Sequence, residues 1–406
     1  RMRIGYLVGC VFIREFLSGK REAWMVQKQN AQRKKPHPTG RGNMDVTFLV
    51  LVLLLLTFGL IMLFSASYAY AYYHDNDSFY YIKKQMIFAV AGVVAMIVAS
   101  NFDYRYWQKL ATPVMGVAIV LLIVVLFMPK IAGVHRWIPI GNLTTFQPSE
   151  IAKFAVVILF AKMITIYGEK MKTFRYGILP FLIVLGVISG LMVLEPHLSG
   201  TILILTIGIV MMFVGGVDLK WFVLGVAALA AGVVVVVMIP GVIQYAQSRL
   251  EYWLDPFADP QGLGFQTIQS LLAIGSGGVM GLGLGNSRQK YLYIPEPQND
   301  FVFSIVCEEL GLVGASIIVI LFALLVWRGY VIAIRAQDKF GTMLSVGLTT
   351  QVGLQALLNI AVVTNTIPNT GISLPFFSYG GTALMMLLAQ MGVILSVSRR
   401  AALEKQ

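Results

Sequence analysis

Long apolar runs recur along the chain from residue 46 to residue 398, separated by short polar breaks. A run of about 17 residues or more is long enough to cross a bilayer as a helix. Ten such runs are predicted, over roughly 46–67, 85–100, 109–128, 150–167, 177–194, 198–216, 221–240, 302–327, 341–363 and 380–398. The pattern predicts an all-α polytopic membrane protein, because in lipid a spanning segment must satisfy its own backbone polar groups. Three breaks are longer and carry unusual polar residues: 129–149, 241–301 and 364–379. Segments of that length between spans are usually functional or disordered. The second, between spans seven and eight, contains "GFQTIQSLLAIGSGG", an apolar stretch expected to re-enter the membrane or lie on its surface. No internal repeat is visible, which argues against an inverted-repeat transporter.

Composition agrees with this reading. The 406 residues are 57% hydrophobic and 12% charged, whereas soluble domains carry about 25% charged residues. The net charge of +12 invites nucleic acid as a partner, but its distribution does not. Basic residues crowd the first 45 positions, including "QRKK", and most of the others fall in alternate breaks. With the N-terminus inside, only Lys83, Lys84, Lys130, Arg136, Arg249, Arg288 and Lys290 lie on the outer side, and Lys153 lies within a span. The positive-inside rule then puts both termini in the cytoplasm and Asp300 on the outer face. Three regions follow: a basic, disordered cytoplasmic tail over 1–45, a ten-helix membrane domain over 46–398 and a short basic tail over 399–406. The apolar "IGYLVGCVFI" near the start is too short to span. Translation is expected to begin near Met25, with a secretory leader as the alternative. Cys10 and Cys307 make no disulfide framework. The four histidines, His37, His74, His135 and His197, are not spaced as a zinc site.

Candidate chemistry gathers at the outer ends of the spans. "PEPQND" (295–300) leads into the eighth span, and its two prolines stiffen the approach of Asp300. "FQPSEIAKF" (146–154) opens the fourth span. Pro148 suits a first helical turn, and Glu150 suits the positive end of the helix dipole. Lys153 is not explained by a good helix start. It shares a face with Glu150 and lies about 5 Å deeper. Unpaired at the centre of a span it would cost at least ~2.5 kcal/mol, so a Glu150–Lys153 pair lining a polar cavity is expected. A snorkelling lysine is the plain alternative. Gln147 and Ser149, beside this pair, are candidate substrate contacts. In "HRWIPIG" (135–141), Arg136 is a candidate phosphate clamp and Trp137 an interfacial anchor. "GSGGVMGLGLGNSRQK" (275–290) lacks the Gly-Lys-Ser/Thr ending of a nucleotide loop. Lys290 and Arg288 there are candidates to meet phosphates, or merely solvated. Glu308 and Glu309, inside an apolar run, are expected to face the bundle interior. Such carboxylates also suit a proton-coupled transporter. "SLPFFSYGGTALM" (373–385) allows close backbone approach before the last span.

Together these segments resemble the SEDS family of shape, elongation, division and sporulation proteins, which includes FtsW, RodA and SpoVE. The resemblance rests on "HRWIPIG", "FQPSEIAKF", "DPQGLGFQTIQSLLAIGSGGVMGLGLG", "KYLYIPEPQNDFVFSIVCEELGLVG" and "SLPFFSYGG", in family order over about 44–398. "KYLYIPEPQNDF" looks closer to FtsW and SpoVE than to RodA. At "EPHLSG" (195–200), His197 stands where many members carry Asp, so no role is carried onto it. The resemblance implies a peptidoglycan glycosyltransferase that polymerises lipid II at the outer face of the bacterial cytoplasmic membrane, with no nucleic acid among its partners.

 It also implies septal wall synthesis in cell division, with a class B penicillin-binding protein as transpeptidase partner, other divisome proteins around it, and membrane lipid as its surroundings. The family's essential aspartate falls on Asp300 and its polar cavity residues on Glu150 and Lys153. In that reaction one sugar hydroxyl attacks the anomeric carbon of another sugar and expels undecaprenyl diphosphate. Asp300 would take the proton, although an ordinary Asp, with a pKa of about 3.9, is a weak base for a hydroxyl. Lys153, Arg136 or a divalent cation, magnesium or manganese, would offset the diphosphate charge. No metal ligands can be read from the sequence. A lipid II flippase and a non-catalytic scaffold for the penicillin-binding protein are the alternatives.

Overall fold

The structure, a computed structural model, describes residues 42–130, 133–141, 144–227, 253–262 and 264–401. Among these, nine helices are long and apolar enough to cross a membrane, and the fold is all-α and polytopic. They are α1 (Val46–Asp75), α2 (Tyr80–Asn101), α3 (Arg105–Val125), α4 (Pro148–Tyr167), α5 (Leu179–Leu194), α6 (Leu198–Gly215), α8 (Val302–Arg335), α9 (Lys339–Val363) and α10 (Gly381–Arg400). The expected span over 221–240 is helical over 219–227, and its remainder lies outside the described residues. So do residues 1–41 of the expected N-terminal tail and residues 402–406.

Several helices outrun their apolar runs. α1 continues to Asp75 and α2 begins at Tyr80, because tyrosines and lysines add helical turns that need no hydrocarbon around them. Those extra turns bring Asp75, Tyr80 and Tyr81 to the end of the bundle that carries Asp300. One element is an addition to the sequence reading, and another gives form to the apolar stretch expected in the 241–301 segment. A hairpin pairs β1 (Ile138–Ile140) antiparallel to β2 (Thr144–Phe146), with Pro139 opposite Thr145. The long 241–301 segment contains a further helix, α7 (Phe265–Gly277). It is held by Ser270, whose hydroxyl meets Ser304 Oγ and the Val363 carbonyl, each at 2.8 Å.

The helix α8 is broken near its start. Gly311 has φ +66° and ψ −168°, which interrupts the ladder that would satisfy neighbouring backbone groups. Residues 278–283 fill the gap. Leu282 and Gly283 donate to the carbonyls of Glu308 and Glu309, while Leu312 and Val313 donate to the carbonyls of Gly278 and Val279. The approach is close enough that a Cβ at Gly281 would collide with the Glu309 carbonyl, and one at Gly311 with the Gly281 amide. An unsatisfied backbone group in hydrocarbon costs several kcal/mol, so this docking is a condition of the break.

The same region corrects the reading of Lys290. Its ammonium lies 3.0 Å from Glu309 Oε1 and donates to Ser65 Oγ and the Gly285 carbonyl. Lys290 is 2% exposed and Glu309 1%. Glu308 accepts from the Ser287 hydroxyl and from the amides of Arg288 and Gln289. Both carboxylates face the interior as expected, and their bonds staple the 285–290 loop to α8. Lys290 is therefore committed to the scaffold, since a buried carboxylate without its partner is costly.

The opposite end is closed by charge pairs. Asp45 caps α1 through the Phe48 amide, and its carboxylate meets the Arg328 guanidinium at 2.9 Å. Its amide donates to Ser398 Oγ. The Tyr104 hydroxyl and Arg105 Nε both donate to Asp338. Helices α1, α3, α8, α9 and α10 are thus tied at their termini.

Lys290→Met should strand the Glu309 charge and cost about 3–5 kcal/mol of stability. The check is thermal unfolding in detergent, where the double variant with Glu309→Gln should recover most of the loss.

Candidate functional site

A cavity of about 660 Å³ opens at the Asp300 end of the bundle, within the usual range for a ligand pocket. Asp300, Arg136, Gln147, Glu150 and Lys153 line it. Each arrives by a different local cause. Pro148 starts α4 at the first turn, with Gln147 just outside. Glu150 and Lys153 then share one face, and their ion pair measures 2.7 Å. Lys153 is 5% exposed, so the pair is shielded from bulk water. Arg136 lies two residues before the hairpin. Its guanidinium donates to the carbonyls of Glu195 and Pro196 at the end of α5, where the negative end of a helix dipole favours a cation. Part of its fork is therefore already engaged. Ser149 is buried and does not line the cavity, because one helical step from Glu150 turns it to another face. Lys290 and Arg288 do not line it either.

Asp300 ends a series of turns rather than an open loop. The Asn299 amide donates to the Glu296 carbonyl, and the Asn299 side chain donates to Glu296 Oε2 at 2.8 Å. Asn359 of α9 fixes the Asp300 backbone: its Nδ2 donates to the carbonyls of Asp300 at 2.8 Å and Ile372 at 2.6 Å. One turn earlier, Gln355 donates to Ser373 through Nε2 and accepts from Lys153 at 3.5 Å. One face of α9 thus joins the Asp300 segment, the 372–373 segment and the Glu150–Lys153 pair. Gly371, at φ +68°, lets the second segment pass close to the acid; a Cβ there would meet Asp300 Oδ2 at 3.2 Å. Sequence reasoning missed Gln355 and Asn359. Their signal was a row of three amides at four-residue spacing, Gln351, Gln355 and Asn359, on one face of the span.

Electrostatics distinguish the acid groups. Burial pushes the Asp300 carboxyl up to about 6; Glu296 adds to the rise and Arg136 opposes it. Burial pushes Glu195, beneath Arg136, up to about 8. Its carboxylate oxygens have no hydrogen-bond partner among the described residues. His197, on the cavity wall, is held down at about 3 by burial and then by Arg136 and Lys153. It is a neutral imidazole near pH 7. The cavity wall therefore presents three basic side chains, Lys84, Arg136 and Lys153, four carboxyl groups of which Asp300 titrates close to neutrality, and one uncharged histidine.

Comparison with known proteins gives the family. Residues 45–403 match the family of FtsW, RodA and SpoVE, described as cell cycle proteins. The chain belongs to that family. It is 42% identical to stage V sporulation protein E of Bacillus subtilis over 80% of this chain and 88% of that protein. It is 38% identical to the probable peptidoglycan glycosyltransferase FtsW of Geobacter metallireducens, over 80% and 86%. Among solved structures it resembles a chain of a peptidoglycan synthase complex in which polymerization and crosslinking are coordinated. That likeness has a TM-score of 0.74 at 28% identity and covers 89% of this chain and 99% of the other. The rod shape determining protein RodA of Thermus thermophilus matches with a TM-score of 0.65 at 25% identity, over 91% and 100%.

The carbonyl stretch of protonated Asp300, identified by its absence in Asp300→Asn, should vanish in infrared difference spectra as pH rises through about 6. Arg136→Met removes a stabilising cation and should move the midpoint up. Glu296→Gln removes a repelling anion and should move it down.

Proposed function

We propose that the protein is a peptidoglycan glycosyltransferase that polymerises lipid II into glycan strands. The observation that carries this reading is the placement of Asp300 in one cavity with Arg136 and the buried Glu150–Lys153 pair. A sugar hydroxyl attacks the anomeric carbon of a lipid-linked sugar. The new carbon–oxygen bond forms as the bond to the diphosphate breaks, and Asp300 takes the hydroxyl proton. A base near pH 6 suits this better than an ordinary Asp, since catalytic pKa values work best near the operating pH. The leaving diphosphate meets Lys153 and the free part of Arg136, and fixed cations in a sheltered cavity stabilise developing negative charge strongly.

Among the described residues no three of His, Cys, Asp and Glu gather as a ready-made metal centre. Magnesium needs less, one or two carboxylates together with substrate phosphates. Glu296, on the cavity wall, would hold such an ion or manganese together with the substrate phosphates, and the ion would supply charge to the leaving diphosphate.

The reaction face is the outer face of the cytoplasmic membrane, with both termini in the cytoplasm, as the basic residues of alternate segments favour. A class B penicillin-binding protein is the partner that would crosslink the strands. A septal role among divisome proteins is favoured by "KYLYIPEPQNDF", with sporulation as the second reading because of the similarity to the sporulation protein.

In purified protein with its partner and lipid II, Asp300→Ala should abolish glycan chains while lipid II still binds. Undiminished chains would remove Asp300 from the chemistry. Transport of labelled lipid II across liposomes without polymer would favour a flippase, and tolerance in both assays a scaffold. In the wild-type protein the polymerisation rate should rise with pH to a plateau above about 6, because the base must be ionised.

A further inference from the structure

One corner of the cavity takes no part in the chemistry above. Tyr80, Tyr81 and Tyr379 line it together with Asp75 and Lys84. The Tyr81 ring stands perpendicular to Tyr80 and Tyr379, 5.2 Å and 4.8 Å away and each at 87°, with Tyr70 tilted at 53° and 6.1 Å away. Other tyrosines of this region have a plainer duty. Tyr72 and Tyr73 are 60% and 73% exposed and do not line the cavity, as expected of an interfacial aromatic belt. Tyr80, Tyr81 and Tyr379 are only partly exposed and turn inward.

The corner is built to be rigid. Buried Gln85 donates to the Ser378 carbonyl at 3.3 Å and accepts from the Gly380 amide at 3.2 Å. The Tyr379 amide donates to the Gln298 carbonyl at 2.8 Å. The backbone on each side of Tyr379 is thereby fixed, and one of its anchors lies two residues from Asp300. Lys84 is already used: its ammonium sits 4.0 Å from the centre of the Tyr80 ring and 2.6 Å from the Tyr80 hydroxyl.

A ligand for this corner must offer apolar faces to aromatic rings and hydroxyl or amide donors to a carboxylate. A diphosphate is a poor match, because Asp75 would repel it and Lys84 is engaged. A hydrocarbon tail is a poor match too, because the phenol hydroxyls and Asp75 would lose their solvation against it. A pyranose ring fits both demands, with axial C–H groups on its faces and hydroxyls around its rim. We propose that Tyr81, Tyr379 and Asp75 form a saccharide subsite, in which the rings stack on an N-acetylated sugar of the lipid-linked substrate and Asp75 accepts from its hydroxyls. This assignment rests on the glycosyl-transfer reading for the identity of the sugar. The shared backbone of Tyr379, Gln298 and Asp300 would set the stacked sugar at a fixed distance from the base.

The test compares two probes on purified protein in detergent, lipid II and undecaprenyl diphosphate, which lacks the sugars. Tyr379→Leu should weaken lipid II binding about tenfold, near the upper range for one well-stacked ring pair, and leave undecaprenyl diphosphate binding unchanged. Tyr379→Phe, which keeps the ring, should restore most of the lipid II affinity. Asp75→Asn should likewise weaken lipid II alone. Equal weakening of both probes, or of neither, overturns the subsite. The polymerase reading is judged separately by glycan formation in the wild-type protein. If no glycan forms but the probe difference persists, the subsite stands and that reading falls; if glycan forms and the probes respond alike, the reverse holds.

Discussion

In a bilayer, a break in a helix must be repaired from within the protein. The interruption of α8 at Gly311 frees carbonyls and amides where water cannot reach them, and residues 278–283 supply the missing partners. That repair has structural reach. It draws the glycine-rich segment onto α8, the Glu308 and Glu309 carboxylates then hold residues 285–290, and the turns that follow end at Asp300. The acid at the cavity is positioned by a chain of obligatory hydrogen bonds that begins with a backbone defect.

The cavity itself is an exercise in partial compensation. Glu150 and Lys153 pair at 2.7 Å. Arg136 spends part of its fork on the end of α5, and Asp300 keeps Glu296 as a repelling neighbour with Arg136 as an opposing cation. A fully compensated site would be stable and inert. Here the carboxyl is left close to its titration point, and α9 supplies Gln355 and Asn359 as uncharged struts between the charged parts. Amides suit that task because they fix geometry without adding another charge to a sheltered space.

Features decided by neighbours in sequence were legible. Pro148, Glu150 and Lys153 act through helix start and spacing, and the prolines around Glu296 marked Asp300 as constrained. Features decided by distant partners were not. The charge of Lys290 was visible, but its partner Glu309 lies across a helix break that no local pattern announces. Ser149 adjoins the cavity residue Glu150, and the helical turn alone removes it from the wall. The hairpin over 138–146 had a weak signal, Gly-Asn between short β-prone stretches. The membrane spans were readable because hydrocarbon thickness fixes their minimum length, whereas their polar extensions follow no such limit.

The Ser65 hydroxyl reaches both carboxylate oxygens of Glu309 at 2.7 Å, across 244 positions of sequence. The ribosome therefore delivers the two halves of this contact far apart in time. Until α8 emerges, α1 waits in the membrane without its acidic partner, and when α8 arrives its carboxylates need shelter at once. Assembly of the reaction chamber is thereby deferred to a late stage of biogenesis, and a chain truncated before α8 has no means of building it.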